Sequence, residues 1–260
     1  MASEFAHAIR QMELELALPL LPKGAELLEL GAGDGWQARQ LQERGFNVSA
    51  VDIQAPPQSA IQYFPITIYD GVNLPFADHS FDAVYSSNVL EHVTEFNQIQ
   101  RELTRILRPG GIAVHCVPSA VWRFWTTFGH PIYALQIAWR ILTTRKNAAH
   151  SSPSLDKQRT ALSQLSPLAR LRTALISPRH GEHGGLVTEH WLFSHSGWER
   201  RIKASGWHVT SVAPCKIFYT GNELFGLRLS GTTRRHLAAI FGSSTFIFVL
   251  RPPHSMDCKL

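Results

Sequence analysis

The chain contains 260 residues, of which 44% are hydrophobic and 17% are charged, and its formal net charge is +5. This length and composition favour one domain with a buried core and exclude a globally disordered chain. The three cysteines form no CxxC pair, which argues against a disulfide scaffold or a zinc ribbon and favours a reducing compartment.

The first half of the chain alternates between strand-like and helix-like segments. In chain order, the patterns predict a helix over 6–21, a strand over 26–30, a helix over 36–44, strands over 47–53, 66–69 and 83–86, a helix over 96–107 and a strand over 112–117. Gly45 ends the second of these helices, and the segment Arg108-Pro109-Gly110-Gly111 ends the third. Alternation of this length is typical of a mostly parallel sheet with helices on both faces.

The alternation lapses after Pro118 and resumes near residue 186. Ser196 and Glu199 form a capping-box pattern, which predicts that Ser196 is the N-cap of a helix ended by Gly206. The patterns further predict strands over 207–213 and 245–250, a helix over 233–241, an aromatic helix over 121–142 and a mobile segment over 146–167. We therefore predict one domain over 1–260 with an inserted helical and loop lid over 120–185.

The positive charge is concentrated in the predicted insertion. Between residues 120 and 180 the chain has nine basic residues and one acid, which gives this segment a charge of +8 and leaves −3 for the rest. The N-terminal segment carries Glu4, Glu13 and Glu15 where a signal peptide needs an apolar core, and no segment has the roughly 18 uncharged apolar residues of a membrane span. These features predict a cytoplasmic protein, with peripheral membrane contact through the insertion as an open option.

A glycine cluster follows the first predicted strand. Gly31, Gly33 and Gly35 would let the backbone approach a ligand, and the N-terminus of the next helix would offer free N–H groups. The dinucleotide fingerprint GxGxxG would need a small residue at position 36, where this chain has Trp36. Asp52 ends the second strand about twenty residues later, where a carboxylate can accept hydrogen bonds from ribose hydroxyls. The pattern indicates a ribose-containing cofactor.

Five motifs in this order resemble those of the class I S-adenosylmethionine-dependent methyltransferases. They are the segments 29–35, 51–53, 70–76, 80–93 and 107–111. The resemblance covers residues 20–119 and, more faintly, 187–252. It implies a Rossmann-like, seven-stranded, mostly parallel sheet whose last strand is antiparallel. It also implies S-adenosylmethionine as the cofactor, lying over the ends of the first strands.

The resemblance also implies which residues meet the cofactor. These residues are Glu29, Gly31, Gly33, Gly35, Asp52, Ile53, Asp70, Gly71, Ser87 and Asn88. Asp52 would hold the ribose, and Asp70 would accept from the adenine amino group unless it is an ordinary turn residue. Ser87 and Asn88 would approach the methyl end. Glu29 would either order the loop backbone or face the methionine ammonium group.

The densest group of titratable side chains comprises four histidines: His180, His183, His190 and His195. The loop that begins at His180 either covers the acceptor site, with His180 or His183 as a catalytic base, or is a polar surface loop. The histidines lack the i, i+4 spacing of a helical zinc site, and no cysteine accompanies them. The sequence therefore predicts no metal site.

The predicted insertion places aromatic side chains among basic ones. The aromatic residues are Trp122, Phe124, Trp125, Phe128, Tyr133 and Trp139, and the basic ones are Arg123, Arg140, Arg145 and Lys146. This pattern suits a lid over an apolar acceptor or a contact with anionic lipid through 121–146. It equally suits a helical cap packed on the sheet with arginines at its rim. RNA docking is a weaker alternative, because no RNA-binding module accompanies the pattern.

The residues after the fourth strand bear on the acceptor. Positions 86–89 read Ser-Ser-Asn-Val, which lacks the Asn/Asp-Pro-Pro-Tyr/Phe signature of DNA amine methyltransferases. We predict methyl transfer to a small or lipid-like acceptor at oxygen, with nitrogen and carbon as open alternatives. An RNA or protein methyltransferase that docks through the insertion, and a cofactor-binding module without turnover, are the other two hypotheses.

Overall fold

The computed structural model describes residues 4–55, 61–144, 177–185, 187–222 and 224–253, and every structural statement below concerns these residues. The predicted mobile segment 146–167 lies outside them, as do six of the nine basic residues of the 120–180 segment.

Seven strands form one sheet. They are β1 (Glu26–Leu30), β2 (Asn47–Asp52), β3 (Thr67–Ile68), β4 (Phe81–Ser87), β5 (Leu107–Pro118), β6 (His208–Pro214) and β7 (Thr245–Arg251). Their order across the sheet is β3-β2-β1-β4-β5-β7-β6. The pairs among β1 to β5 are parallel, whereas β7 is antiparallel to both β5 and β6. This confirms the predicted mostly parallel sheet with an antiparallel last strand.

Helices flank the sheet. They are α1 (Glu4–Ala17), α2 (Trp36–Glu43), α3 (Phe96–Ile106), α4 (Ala120–Thr144), α5 (Thr188–Leu192), α6 (His195–Ala204) and α7 (Gly231–Phe241). The first helix ends four residues earlier than predicted. A short 3-10 turn over Leu18–Leu20 follows it, with Pro19 as the second residue of the turn. None of the described helices is both long enough and apolar enough to cross a membrane.

Strand β1 shows why the sheet is covered on both faces. Successive side chains of a strand point to opposite faces, yet Leu27 and Leu28 are both fully buried. The strand is therefore buried on both faces, as expected for parallel sheets packed between helices. The loops that follow β1, β2 and β4 leave the same edge of this buried sheet, because these strands are parallel neighbours.

Two predicted element ends differ from the structure. The N-cap of α6 is Ser194, whose side chain accepts a hydrogen bond from the Gly197 backbone N–H, so the prediction of Ser196 is wrong. Glu199 does not complete a capping box; it forms an ion pair with Lys203 one turn later. Strand β5 starts earlier than predicted, with a shift in its pairing with β4 that accommodates the Arg108–Gly111 segment.

Candidate active site at the carboxyl ends of the strands

The glycine loop between β1 and α2 has the conformation that its sequence predicts. Gly31, Gly33 and Gly35 all have positive φ angles, of 74°, 60° and 80°. A Cβ atom at Gly31 would lie 2.4 Å from the Val89 side chain, and one at Gly35 would lie 2.9 Å from the Phe64 backbone nitrogen. Nothing lies within 4 Å of such an atom at Gly33. The open side of Gly33 is therefore where a ligand can approach the backbone.

Asp52 faces this loop from the end of β2. Its Oδ2 accepts a hydrogen bond of 2.7 Å from the Gly33 backbone N–H, and its Oδ1 accepts one of 3.2 Å from Gln54. Ile53 lies next to Gly71, since a Cβ atom at Gly71 would come within 3.4 Å of the Ile53 Cγ2. The structure thus brings together four of the predicted cofactor residues.

Asp70 begins a hydrogen-bonded turn. Its Oδ1 accepts from the backbone N–H groups of Val72 and Asn73, at 2.8 and 2.6 Å, and its Oδ2 accepts from the Asn73 side chain at 2.7 Å. These bonds, with those from Asn73 the strongest, hold the pKa of Asp70 below its usual value. Asp70 is therefore an exposed anion, as both interpretations of this residue require.

Glu29 lies beneath the loop and is buried. It accepts a hydrogen bond from the backbone N–H of Ala38 in the first turn of α2, and its Oε2 has no partner among the described residues. Burial raises the pKa of Glu29 well above its usual range, and the charges of Asp34 and Asp52 raise it further. The contact with Ala38 supports the interpretation that Glu29 orders the start of α2.

The N-terminal helix α1 covers the glycine loop, which the sequence did not predict. The His7 Nε2 lies 3.0 Å from the Asp34 Oδ2 within the loop. The His7 ring is stacked on Trp36, with the ring centres 4.9 Å apart, and contacts the edge of Tyr63. These contacts fix α1 above the loop.

One turn and a half further along α1, Glu13 brings a fully buried carboxylate to the end of β4. Its Oε2 accepts from the Ser87 hydroxyl at 3.0 Å and from the Asn88 amide at 3.4 Å, and it pairs with Arg10 at 2.5 Å. The Tyr219 hydroxyl donates to the other oxygen, at 3.1 Å. Ser87 and Asn88 are the residues predicted to approach the methyl end of the cofactor, so Glu13 lies where the chemistry is expected.

The two groups that bond to Glu13 beside Ser87 and Asn88 differ in charge. Burial raises the pKa of Tyr219 well above its ordinary value, and the charge of Glu13 raises it further. Burial alone would lower the pKa of Arg10, but the adjacent Glu13 more than offsets this and the pKa is raised. Arg10 therefore stays charged and Tyr219 stays protonated, so Glu13 has one cationic and one neutral donor.

The two histidines predicted as bases lie at different cavities. His180 lines a cavity of about 240 Å³ between α4, the segment 177–180 and residues 221–222. His183 lines a hollow of about 390 Å³ next to residues 94–97, and its Nε2 lies 3.1 Å from the Val93 carbonyl oxygen. The structure therefore does not bring His180 and His183 together, and only His180 borders the cavity beside α4.

The first turn of α4 is buried, contrary to the prediction that Arg123 lies on a basic rim. Arg123 Nε and Glu189 Oε2 are 2.7 Å apart, and their side chains are 1% and 0% exposed. Trp122 is also buried, because it packs against Gly221 and the His180 ring. Composition alone could not show which side of the helix meets the sheet. This part of the insertion is a packed cap.

Three residues that line the cavity beside α4 also carry buried polar atoms without partners. The Trp122 Nε1, the Arg123 Nη2 and the Asn222 Oδ1 are buried and have no hydrogen-bond partner among the described residues. Buried polar groups are normally satisfied, so these three atoms are exceptions that the described contacts do not explain.

Known proteins resemble the part of the chain that carries the glycine loop and strands β1 to β4. A family profile described as a methyltransferase domain matches residues 28–115. The chain is 38% identical over 93 residues to a demethylmenaquinone methyltransferase of Corynebacterium urealyticum, which covers 35% of this chain and 40% of that protein. It is 32% identical over 122 residues to a 2-methyl-6-phytyl-1,4-hydroquinone methyltransferase of Synechocystis, covering 43% and 36%. The matches thus span about two-fifths of these relatives.

The fold as a whole resembles a solved structure. An S-adenosylmethionine-dependent methyltransferase of Mesorhizobium loti superposes over 92% of this chain and 97% of its own, with a TM-score of 0.50 and 18% identity. At this identity the likeness concerns the fold, and it extends beyond the segment that the sequence comparisons cover.

Proposed function

We propose that this chain, which belongs to the class I S-adenosylmethionine-dependent methyltransferases, transfers a methyl group to a hydroxyl oxygen of a small or lipid-like acceptor. The observation that carries the proposal is the placement of the buried Glu13 carboxylate at Ser87 and Asn88, beside a glycine loop lined by acids. The cofactor supplies an electrophilic methyl group on a positively charged sulfur. The chain's own residues must bind it, exclude water and accept the proton that the acceptor releases.

The loop suits this cofactor in shape and in charge. Gly33 leaves its backbone open, and Asp52 accepts one hydrogen bond on each oxygen, so each retains capacity for a ribose hydroxyl. Asp70 and Gly71 would hold the adenine. Asp34 and Asp52 make the surroundings negative, which favours a cationic ligand. Helix α1, fixed above the loop by His7, would cover the bound cofactor.

The cavity beside α4 supports a compact acceptor. Its volume of about 240 Å³ is below the range typical of drug-sized ligands, so it fits one ring or the head of a longer molecule. The two relatives named above are methyltransferases of a demethylmenaquinone and of a hydroquinone. We therefore propose a hydroxylated ring, such as a hydroquinone, as the acceptor class.

Methylation at ring carbon is a second candidate, because a hydroquinone whose hydroxyl loses its proton becomes nucleophilic at carbon as well as at oxygen. Glu13 would accept the same proton in either case. The alternative of RNA or protein docking through the basic insertion is less well supported, since Arg123 is buried in an ion pair.

The proposal is tested with S-adenosylmethionine that carries a labelled methyl group. Purified protein is incubated with the cofactor and a panel of hydroquinones, phenols, RNA and total protein, and the products are separated and identified. We expect label in the hydroquinone or phenol products, and the position of the methyl group distinguishes oxygen from carbon. Label confined to RNA or protein, or no transfer to any acceptor, would contradict the proposal.

Asp52→Ala serves as the cofactor variant in the same experiment. Removal of a carboxylate that meets ribose hydroxyls should weaken S-adenosylmethionine binding by about 1.5–3 kcal/mol, as measured by calorimetry. Asp78→Ala, which removes an exposed carboxylate that pairs with Arg105, is the matched control and should leave affinity unchanged.

We further propose that α4 contacts an anionic lipid surface. Phe124, Phe128, Ile132 and Leu135 follow one another at spacings of four, four and three residues, which places them on one helix face, and each is exposed. Their exposed fractions range from 47% to 71%. An apolar face within a segment of charge +8 matches the pattern of helices that lie in an anionic membrane interface.

Vesicle flotation tests this contact. The protein should float with anionic vesicles at low salt, and binding should weaken at high salt, since basic residues near an anionic surface contribute about 1 kcal/mol each. Phe128→Ser combined with Leu135→Ser should reduce binding at least several-fold, whereas Val187→Ser, at an exposed apolar residue elsewhere, should not. Equal flotation of all three proteins, or none, would refute the lipid contact.

A further inference from the structure

Glu91 is a buried carboxylate without a hydrogen-bond donor. It lies in a short 3-10 turn, Leu90–His92, directly after β4, and is 1% exposed. Neither of its oxygens accepts a hydrogen bond from a described residue. Burial of an isolated carboxylate is costly, and buried charges are therefore paired or coordinate metals. The Arg10 and Arg201 guanidinium groups interact electrostatically with Glu91 but donate no hydrogen bond to it.

Two imidazoles approach the same oxygen from different parts of the chain. The His180 Nε2 lies 3.7 Å and the His92 Nε2 lies 3.9 Å from the Glu91 Oε1. One ligand atom from each of the three residues can be chosen so that all lie within 4.8 Å of one another. Ligand atoms that surround a zinc ion at 2.0–2.2 Å are roughly 3–3.6 Å apart. Closing the site would shorten the two distances to Glu91 by less than about 1 Å and any other pair by at most about 1.8 Å.

The loop that carries His180 is built against Glu91. The Glu182 backbone N–H donates to the Glu91 carbonyl oxygen at 3.0 Å, and a Cβ atom at Gly181 would come within 2.9 Å of the same oxygen. The Glu189 carboxylate accepts from the His180 and Gly181 backbone N–H groups, at 2.8 and 3.0 Å. These bonds hold the backbone of His180 in place before any ligand binds, as a metal site requires.

We propose that Glu91, His92 and His180 bind a divalent transition-metal ion of the zinc class. Two imidazoles and one carboxylate are a ligand set that zinc uses, whereas magnesium and calcium prefer oxygen ligands alone. Three protein ligands leave a coordination position open. His180 also lines the cavity beside α4, so the ion would lie at the edge of the proposed acceptor site.

This proposal goes beyond the proposed function, since it concerns residues that the glycine loop does not use. The prediction of no metal site rested on the spacing of the histidines from His180 to His195 and on the lack of a cysteine among them. The structure instead combines one of them with two residues that lie 88 and 89 positions earlier in the chain.

Metal binding is measured on the full chain without cofactor or acceptor, so its outcome does not depend on methyl transfer. After treatment with a chelator, the protein is titrated with zinc(II) by calorimetry and with cobalt(II) by visible spectroscopy. We expect one saturable equivalent of zinc, and cobalt absorption bands of a nitrogen-ligated site that zinc abolishes.

Three variants identify the ligands. Glu91→Gln, His92→Ala and His180→Ala should each weaken zinc binding by roughly 10–100-fold or more, while His195→Ala, at an exposed histidine outside the cluster, should leave it unchanged. His92 is 44% exposed, so its variant should fold even if Glu91→Gln does not. Absence of saturable zinc binding, or affinity unaffected in His92→Ala and His180→Ala, would overturn the proposal and leave the two imidazole rings as neighbours of Glu91 with no metal between them.

Discussion

Replacement of Glu13 with glutamine is expected to lower kcat roughly 10²–10⁴-fold, the usual contribution of a positioned acid or base. Glutamine keeps the size of the side chain, and its single carbonyl oxygen can still accept from either Ser87 or Tyr219, which donate to different oxygens of Glu13. It cannot accept a proton from the acceptor, because an amide is not a base at neutral pH. The loss should therefore appear in turnover.

Cofactor affinity distinguishes this role from a structural one. Glu13 bonds to the end of β4 and to Tyr219 but, within the described part of the chain, forms no hydrogen bond with the glycine loop. Calorimetry with S-adenosylmethionine should therefore give nearly the same affinity for Glu13→Gln and wild type. A variant that merely detaches α1 would also release His7 from Asp34 and weaken cofactor binding.

Glu15→Gln is the matched control for this experiment. It lies on the same helix two residues further on, and its carboxylate is exposed and bonded to Gln11. We expect wild-type turnover from it. Wild-type turnover from Glu13→Gln as well would show that Glu13 serves only the packing of α1 and that the base lies elsewhere, with His180 as the next candidate.

The geometry around the glycine loop could be predicted from the sequence because its signals are local. The positive φ angles of Gly31, Gly33 and Gly35 are requirements of a tight strand-to-helix turn, and Asp52 is placed by the end of strand β2. Because β1 pairs in parallel with β2 and β4, the loops after these three strands lie at the same edge of the sheet. The same logic explains why Ile53 and Gly71 meet.

The surroundings of Glu13 and Glu91 depend on contacts between segments that are distant in the sequence. Such contacts cannot be predicted from a local sequence pattern. In the sequence, Glu13 looks like an ordinary acidic residue of a surface helix. Phe5, Ile9 and Glu13 follow one another at intervals of four residues, and the structure shows that they share the buried face of α1. That spacing is the one signal that could have identified it. Glu91 and His180 are 89 residues apart, and Arg123 was read from composition as a surface cation.

Replacement of Glu189 with alanine is expected to lower the free energy of unfolding by about 3–5 kcal/mol, the usual result of breaking a buried ion pair from one side. Its partner Arg123 is 1% exposed, and burial already lowers the pKa of that guanidinium. Without Glu189, a buried positive charge and the backbone N–H groups of His180 and Gly181 would all lose their acceptor. Denaturant unfolding of the purified protein measures the effect.

Two further variants separate the cost of the broken pair from its net contribution. The double variant Arg123→Met with Glu189→Leu removes both charges and fills similar volume, so it should recover most of the stability lost in Glu189→Ala. Glu43→Ala, which breaks the exposed pair with Arg39, should cost no more than about 0.5 kcal/mol. If the double variant were as unstable as Glu189→Ala, the lost stability would come from the His180 and Gly181 N–H groups that no longer have an acceptor. Glu189 would then stabilise the protein chiefly by holding the His180 loop against Glu91.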